Sequence, residues 1–348
     1  MNNIIKMFFK IWNQTLVYSI KLNFNKDNIY ILRMNYNIVF DCLIVITSIV
    51  MLWKGADWLV ESAAEIAHTF KVSDLIIGLT VVAFGTSAPE FAVTISAAAT
   101  SQTDISIGNV IGSNIFNLGF ILGGTAIIRP IATSKRMFER DGLFLLISTA
   151  LIFFFFFGID GWTPDDNYTK NEGLLLFSLL IGYVIFLFVK KDPPEEVNPS
   201  TATYLSYILF FIGLISIVLG GHLMVKHASN VARAIGVSDW VIAVTIVAAG
   251  TSAPEFATSL TAAIKGRHGI AVGNLIGSDL FNLLGVLGLA GMINPSNISQ
   301  DIFGSVFLLV LMVGLTLFMI RTNWRIGRIE GTILVTINLI RWYADFAG

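Results

Sequence analysis

Residues 85–92 read GTSAPEFA, and residues 250–257 repeat the same letters 165 positions later. The likeness extends further, because residues 78–123 and 243–288 agree without a gap at 24 of 46 positions. Such similarity indicates an internal duplication. Each copy places a glutamate, Glu90 or Glu255, inside a long apolar stretch. Since a carboxylate in the hydrocarbon interior of a membrane is costly, its duplication predicts a shared ion site.

The composition is that of an integral membrane protein. Of 348 residues, 55% are hydrophobic and 13% are charged, and the mean hydropathy is +0.76. In soluble proteins, about a quarter of all residues are charged. The net charge of −1 and the lack of a basic stripe argue against a nucleic-acid partner. With Cys42 as its single cysteine, the chain offers neither an internal disulfide nor a thiolate metal site.

Apolar stretches long enough to cross a bilayer predict ten helices. They cover residues 38–66, 73–99, 106–128, 141–158, 173–190, 203–232, 238–264, 270–292, 302–320 and 328–345. A polar segment at 190–196 separates five from five, and because five is odd, the second half enters the membrane from the opposite side. We therefore predict an all-α membrane protein of two inverted five-helix repeats, 34–190 and 203–348, joined by a linker at 191–202.

Basic residues predict the orientation of these helices in the cell membrane. They fall on alternate connections, at Lys135, Arg136, Arg140, Lys190, Lys191, Lys265, Arg267, Arg321, Arg325 and Arg328. That face is predicted to be cytoplasmic, with the central linker inside and both termini extracellular or periplasmic. Residues 1–33 are also basic, which opposes this orientation. We interpret them as an extension that is either disordered or an artefact of the start site, with Met34 as the alternative start.

The duplicated peptide carries the chemistry of the site. Proline removes a backbone donor and glycine loosens the chain, so a helix break is expected near Thr86 and again near Thr251. The freed carbonyls, with the hydroxyls of Ser87 and Ser252, are oxygen ligands of the kind that a hard cation prefers.

A second pair of motifs follows, GNVIGSNIFN at 108–117 and GNLIGSDLFN at 273–282. In each, a serine and the last asparagine are four residues apart and share a helix face, which places Ser113 with Asn117 and Ser278 with Asn282. The glycines at 108, 112, 273 and 277 form small-residue faces that favour close helix packing. Asp279 stands where the first copy has Asn114, and the sequence leaves a structural role and a site role equally open.

Two carboxylates among neutral oxygens favour Ca²⁺ or Na⁺ over zinc or copper. The two charges balance one divalent ion, or else monovalent ions or protons, so competition at one site predicts exchange. A channel and an intramembrane protease are the competing classes, although the Gly-x-Gly-Asp motif of such a protease is missing. Two further expectations are that 153–157, a run of phenylalanines, faces lipid and that Lys54, Asp57 and Glu61 snorkel or pair at a helix end, with a gating role as the alternative.

At these motifs the chain resembles the cation/calcium exchanger superfamily, in particular the prokaryotic sodium/calcium exchangers with paired alpha-repeats. The resemblance covers nearly everything after Met34. It implies ten helices, ion sites between the second, third, seventh and eighth, and long first and sixth helices that slide to switch access. It implies no enzyme activity and no cofactor, with Ca²⁺ and Na⁺ (or H⁺) as transported ions.

The resemblance also implies residue roles. Glu90 and Glu255 would bind both ions, and Thr86 and Thr251 would contribute backbone carbonyls. Ser87, Ser252, Ser113 and Ser278 would ligate Na⁺, and Asn117 and Asn282 would line the site. One departure is Asn282, where several relatives carry Asp. We therefore expect no potassium co-transport. The choice between Na⁺ and H⁺ as the counter-ion stays open. The oligomeric state also stays open, and a monomer is plausible.

Overall fold

The computed structural model describes residues 26–158, 167–190, 201–237, 246, 248–299 and 302–347. Its helices are α1 (Lys26–Thr69), α2 (Asp74–Thr86), α3 (Ala88–Ala99), α4 (Thr103–Ile128), α5 (Met137–Phe157), α6 (Lys170–Lys190), α7 (Tyr204–Ala234), α8 (Ala248–Thr251), α9 (Ala253–Ile264), α10 (His268–Ile293), α11 (Phe303–Asn323) and α12 (Arg328–Ala347). Its strands are β1 (Ile131–Ala132), β2 (Asn167–Tyr168), β3 (Ser296–Asn297) and β4 (Arg325–Ile326).

Seven of the described helices are long and apolar enough to cross a membrane, namely α1, α4, α5, α6, α7, α10 and α11. The bent pair α2 and α3 makes an eighth if it is counted as one span. Helix α12 is present but more polar, and residues 238–245 and 247 of the predicted seventh span lie outside the described residues. The chain is thus a helical, multi-span membrane protein, and the count of ten spans stays a prediction.

Helix α1 is longer than the sequence predicted, because it begins at Lys26 rather than at 38. Residues 26–54 contain neither proline nor glycine, so nothing in them ends the helix where the apolar stretch ends. Residues 26–33 of the predicted extension are therefore helical, while 1–25 lie outside the described part of the chain, as do 191–200 of the predicted linker.

Helices α1 and α7 pack against each other along their length. They cross where Gly55 meets Gly213, since a Cβ added to Gly55 would lie 2.9 Å from the Gly213 carbonyl oxygen. Near one end His227 Nδ1 lies 2.6 Å from Asp41 Oδ1, and near the other the hydroxyl of Ser206 donates to Glu65. These contacts hold the two long helices together as a pair.

A salt-bridge cluster joins α1 to the segment after α9. Lys265 forms ion pairs with both Asp57 and Glu61, and Lys54 also lies 3.9 Å from Asp57. Burial lowers the pKa of Lys265, but the hydrogen bonds and charges of Asp57 and Glu61 raise it more, so the net pKa lies above its usual value. The predicted pairing of the α1 charges is thus confirmed, with Lys265 as their main partner.

The small-residue face predicted on the second motif is a close contact between α10 and α2. A Cβ on Gly273 would lie 2.7 Å from the Leu75 carbonyl oxygen, and one on Gly277 would lie 2.7 Å from that of Leu79. In the first copy, a Cβ on Gly108 or Gly112 meets no described atom within 4 Å. The segment equivalent to 75–83 in the second copy is 240–248, most of which lies outside the described residues.

The prediction that 153–157 faces lipid is wrong in part. Phe154 is exposed, but Phe156 and Phe157 are buried. Their rings pack edge-on against Tyr168, at 5.4 Å from Phe156, and against Phe303, at 5.0 Å from Phe157. Since successive residues point about 100° apart around a helix, five in a row cannot share one face.

Two short antiparallel ribbons, which the all-α prediction did not include, join the two halves of the chain. Ile131 of β1 pairs with Ile326 of β4, and Asn167 of β2 pairs with Asn297 of β3. Each ribbon links a connection of the first half to a connection of the second.

The contact between α10 and α2 predicts that Gly277→Ala destabilises the protein. The added methyl group would lie 2.6 Å from the Cβ of Ala83 as well as against the Leu79 backbone. We expect a loss of about 1–3 kcal/mol, as for overpacking in a core, measured as a lower melting temperature in detergent. Gly182→Ala is the matched control, because a Cβ there meets nothing within 4 Å. An equal melting temperature for the two variants would contradict the close packing.

Candidate functional site

The site is built at two helix breaks. Helices α2 and α3 meet at Ser87 with a bend of 52°, and Ser252 separates α8 from α9 in the same way. Pro89 and Pro254 each stand in the first turn of the helix that follows. The breaks that proline and glycine predicted are therefore present, next to Thr86 and Thr251.

The two breaks face each other and exchange hydrogen bonds. Ser87 Oγ donates to Glu255 Oε1 over 3.3 Å, and Ser252 Oγ donates to Glu90 Oε1 over 3.2 Å. The threonines follow the same crossed pattern, since Thr251 lies beside Glu90 and Thr86 lies beside Glu255. Both carboxyl groups are 1% exposed and close enough for their charges to interact. The structure thus brings together the acids of the two copies.

Two asparagines that the sequence analysis did not single out support the glutamates. Asn109 Nδ2 donates to the Glu90 carbonyl oxygen over 3.4 Å and to Thr94 Oγ1 over 2.9 Å. Asn274 Nδ2 donates in the same way to the Glu255 carbonyl oxygen, over 3.3 Å, and to Ser259, over 2.9 Å. Asn274 also accepts a hydrogen bond of 3.0 Å from Thr86. The available signal was their identical place in both copies of the second motif.

The remaining predicted residues lie on α4 and α10. Ser278 Oγ lies 3.3 Å from Thr86 Oγ1. Asn282 Nδ2 donates to Ser113 Oγ and to Asn114 Oδ1, each over 3.1 Å. Asn117 Nδ2 donates to Asp279 Oδ1 over 2.9 Å. We call Asn114, Asn117, Asp279 and Asn282 the amide cluster. The ten predicted site residues belong either to the crossed pairs or to the serines and asparagines of α4 and α10. The two groups adjoin on α10, where Ser278 contacts Thr86 and Asp279 follows it.

The helices that carry this cluster are irregular at it. A π-helical turn at Asn117–Leu122 begins on Asn117, and another at Phe281–Val286 contains Asn282. Such turns are frequent at functional sites, because the wider turn redirects side chains and loosens backbone hydrogen bonds. Nothing in the two motifs predicted them.

Within the described part of the chain, several buried oxygens of the site have no hydrogen-bond donor. They are Oε2 of Glu90, Oε2 of Glu255, Oδ1 of Asn117, Oδ2 of Asp279 and Oδ1 of Asn282. Buried acceptors are normally satisfied, and leaving a charged one unsatisfied is expensive. Among the described residues, no three His, Cys, Asp or Glu side chains are grouped to hold a metal ion. A pocket of carboxylate and neutral oxygens suits a hard cation such as Ca²⁺ or Na⁺.

Two contacts between the copies repeat when each residue is replaced by its counterpart 165 positions away. Ser87 with Glu255 becomes Ser252 with Glu90, and Asn117 with Asp279 becomes Asn282 with Asn114. The site is therefore built equally from the two copies, as two matched halves around one pocket.

Asn274→Ala is expected to destabilise the protein more than Asn109→Ala. Asn274 is fully buried and joins three partners, one of them in the other half, whereas Asn109 is half-buried and bonds only within its own half. Buried groups left without partners cost about 1–3 kcal/mol each. Melting temperatures of the two variants in detergent test this order, and an equal or larger loss for Asn109→Ala would refute it.

Comparison with known proteins agrees with this geometry. Residues 40–189 and 205–340 match the family described as "Sodium/calcium exchanger protein". The sodium/calcium exchanger MaX1 of Methanosarcina acetivorans is 32% identical over 336 residues, covering 86% of this chain and 96% of that protein. The inner membrane protein YrbG of Escherichia coli is 29% identical over 317 residues, covering 86% of this chain and 95% of that protein.

The fold has solved relatives as well. A structure of the sodium-calcium exchanger NCX_Mj, soaked with 10 mM Na⁺ and zero Ca²⁺, superposes with a TM-score of 0.76 at 31% identity. The match covers 87% of this chain and 98% of that one. The duplicated acids, the oxygen-lined pocket and these similarities agree, and the chain belongs to the sodium/calcium exchanger family.

Proposed function

We propose that this protein is a secondary antiporter that exchanges Ca²⁺ for Na⁺ across the cell membrane. The observation that carries the proposal is the crossed pair of buried glutamates, each with one carboxylate oxygen that receives no hydrogen bond from any described residue. Two charges balance one Ca²⁺ or two Na⁺, so a pocket filled by one ion no longer attracts the other. Competition for the same oxygens then becomes exchange.

The ligand set of this proposal is the one that the sequence predicted. Glu90 and Glu255 bind both ions. Neutral oxygens come from Thr86, Thr251, Ser87, Ser252, Ser113, Ser278, Asn117 and Asn282. In support, nine of these ten residues are buried, Thr251 is half-buried, and four of the ten carry an oxygen without a donor. The ions are substrates, and neither a cofactor nor a catalytic step is involved.

Obligatory exchange follows from the cost of an empty pocket. Glu90 and Glu255 are 1% exposed, which is the arrangement expected of an occluded site. Moving two uncompensated carboxylates through such a state is unfavourable, whereas moving them with a bound cation is not. A carrier that crosses only when loaded exchanges ions, unlike a channel, which conducts without a counter-ion.

The proposed architecture has ten helices in two inverted five-helix repeats, residues 34–190 and 203–348, with a cytoplasmic linker at 191–202 and both termini outside. This architecture is supported by the equivalent residues of the two copies, which make matching contacts, and by the two ribbons that join the halves. Inverted repeats place equivalent residues at the same depth from opposite sides. Alternating access then arises from sliding of α1 and α7, which pack as a pair, against the rest. Because one chain supplies both acids, a monomer suffices.

Sodium is favoured over protons as the counter-ion because the pocket holds many neutral oxygens. Serine, threonine and asparagine oxygens coordinate Na⁺, whereas a proton on a carboxylate needs none of them. Exchange of Ca²⁺, or of another cation, for H⁺ is the second candidate. Because residue 282 is an asparagine and not an aspartate, the site has one carboxylate fewer. We therefore propose that potassium is not co-transported.

We expect proteoliposomes loaded with Na⁺ to take up ⁴⁵Ca²⁺ when an outward Na⁺ gradient drives the exchange. Glu90→Gln and Glu255→Gln should each abolish this uptake, because the pocket then carries one charge too few for a divalent ion. Glu139→Gln is the matched control, since Glu139 is exposed and paired with Lys135. Retained exchange in either pocket variant would rule out a shared site.

Proteoliposomes prepared without Na⁺ distinguish the two counter-ions. With Na⁺ absent, a pH gradient should drive little ⁴⁵Ca²⁺ uptake. Uptake that follows the pH gradient and ignores the Na⁺ gradient would replace the proposal with cation/proton exchange.

A further inference from the structure

The two long helices α1 and α7 correspond to each other residue for residue. Gly55 of α1 meets Gly213 of α7. Their counterparts 165 positions away meet as well, since a Cβ on Gly220 would lie 3.2 Å from the Ser48 carbonyl oxygen. The offset between the duplicated motifs therefore extends to these helices, and each residue of α1 has a defined counterpart on α7.

The two helices nevertheless contact the rest of the protein differently. Helix α1 packs against α9, and its Leu59 and Ala63 are fully buried. The equivalent helices α7 and α3 are separated by a groove of about 990 Å³ that is lined mainly by apolar side chains. Met224 and Ala228, the counterparts on α7, are only partly buried. One contact between a long helix and a site helix is thus closed, and its equivalent is open.

The closed and the open contact lie at opposite ends of the helix pair. Helices α1 and α7 run antiparallel, because Asp41 lies beside His227 near one end and Glu65 beside Ser206 near the other. The last turns of α1 and the last turns of α7 therefore point to opposite faces of the bundle.

Ion pairs hold the closed contact. Lys265 directly follows α9 and pairs with Asp57 and Glu61, which stand one helical turn apart on the same face of α1. Helix α9 carries Glu255 in its first turn. The ion pairs of Lys265 thus tie α1 to a helix that holds one of the two site acids.

The open contact cannot form the same ion pairs. The residues at the equivalent positions have other charges; they are His222, Lys226 and Thr100, in place of Asp57, Glu61 and Lys265. Within the described ranges, no ion pair involves His222 or Lys226. If α7 packed on α3 as α1 packs on α9, a histidine and a lysine would meet a neutral hydroxyl group.

We propose that Lys265 is a positioning residue of the exchange cycle, which holds the protein in the access state where α1 is packed on α9. The inference deepens the proposed function and rests on it in one respect, that α1 and α7 slide against the rest. In an inverted repeat the opposite access state exchanges the roles of the two halves, so α7 closes on α3 and α1 leaves α9. That movement breaks the pairs with Asp57 and Glu61 and forms none in return.

The test is the distance between two spin labels on the open side, measured by double electron–electron resonance on the full chain in lipid nanodiscs. Cys42→Ser removes the single cysteine of the sequence. Asp104→Cys then places one label at the start of α4, next to the end of α3, and Ile235→Cys places the other just after α7, both at exposed positions. Closure of α7 on α3 shortens this distance, and in this background we expect mostly the longer one.

Lys265→Met should raise the ratio of the shorter-distance to the longer-distance population about two- to tenfold, as expected when partly exposed ion pairs are lost. Lys265→Arg keeps both pairs and should leave the ratio unchanged. Lys135→Met is the matched control, because it also removes a lysine from a pair with a glutamate, but between residues four apart in the chain. A folded Lys265→Met with an unchanged ratio would overturn the inference.

A second variant supplies the missing ion pair on the open side. Thr100→Glu places a carboxylate where His222 and Lys226 arrive when α7 closes on α3. The shorter distance should therefore gain population while Lys265 is intact, which is measurable even if Lys265→Met does not fold. The inference is overturned if this population stays the same, or if it rises equally in Thr100→Gln, which adds no charge.

These measurements fail separately from the transport assay. If the distances shift as expected but no Na⁺ gradient drives ⁴⁵Ca²⁺ uptake, the role of Lys265 stands and the exchanged ions are wrong. If gradient-driven uptake is present and the distances do not shift, the exchange function stands and the role of Lys265 is wrong.

Discussion

Two carboxylates inside an apolar helix bundle are the constraint on which this structure depends. Among the residues that the structure describes, no basic side chain pairs with Glu90 or Glu255. Each glutamate accepts a hydrogen bond from the serine of the opposite helix break, and its other carboxylate oxygen has no described donor. A charge in such surroundings is stable only when it is paired or when it binds an ion. In the proposed function, the rest of the site supplies oxygens and closes around a cation.

The backbone makes this arrangement possible. Proline and glycine end α2 and α8 at the level of the acids, and the π-helical turns in α4 and α10 place Asn117 and Asn282 where they meet the opposite half. Irregular backbone at membrane depth is tolerated only when protein or a polar cavity covers it. The close approach of α10 to α2 at Gly277 supplies that cover on one side.

The two copies are alike in framework and unlike in detail. Asn274 is fully buried and reaches the other half through Thr86, whereas Asn109 is half-buried and stays within its own half. Asp279 stands where the first copy has Asn114 and adds a further buried carboxyl group. The duplication therefore supplies the common framework of the site, and single substitutions make its two halves different.

The sequence by itself determined the class of protein, the duplicated acids and the helix breaks, because hydropathy, repetition and proline are local or periodic signals. It placed most helix boundaries within a few residues, but not the start of α1, where the helix continues past the apolar stretch. It did not predict the burial of Phe156 and Phe157, the ribbons, the π-helical turns or the surroundings of Asp279. Those features depend on which faces meet across the two halves, and only tertiary packing decides that, because contacts between residues more than 100 positions apart leave no local pattern in the chain.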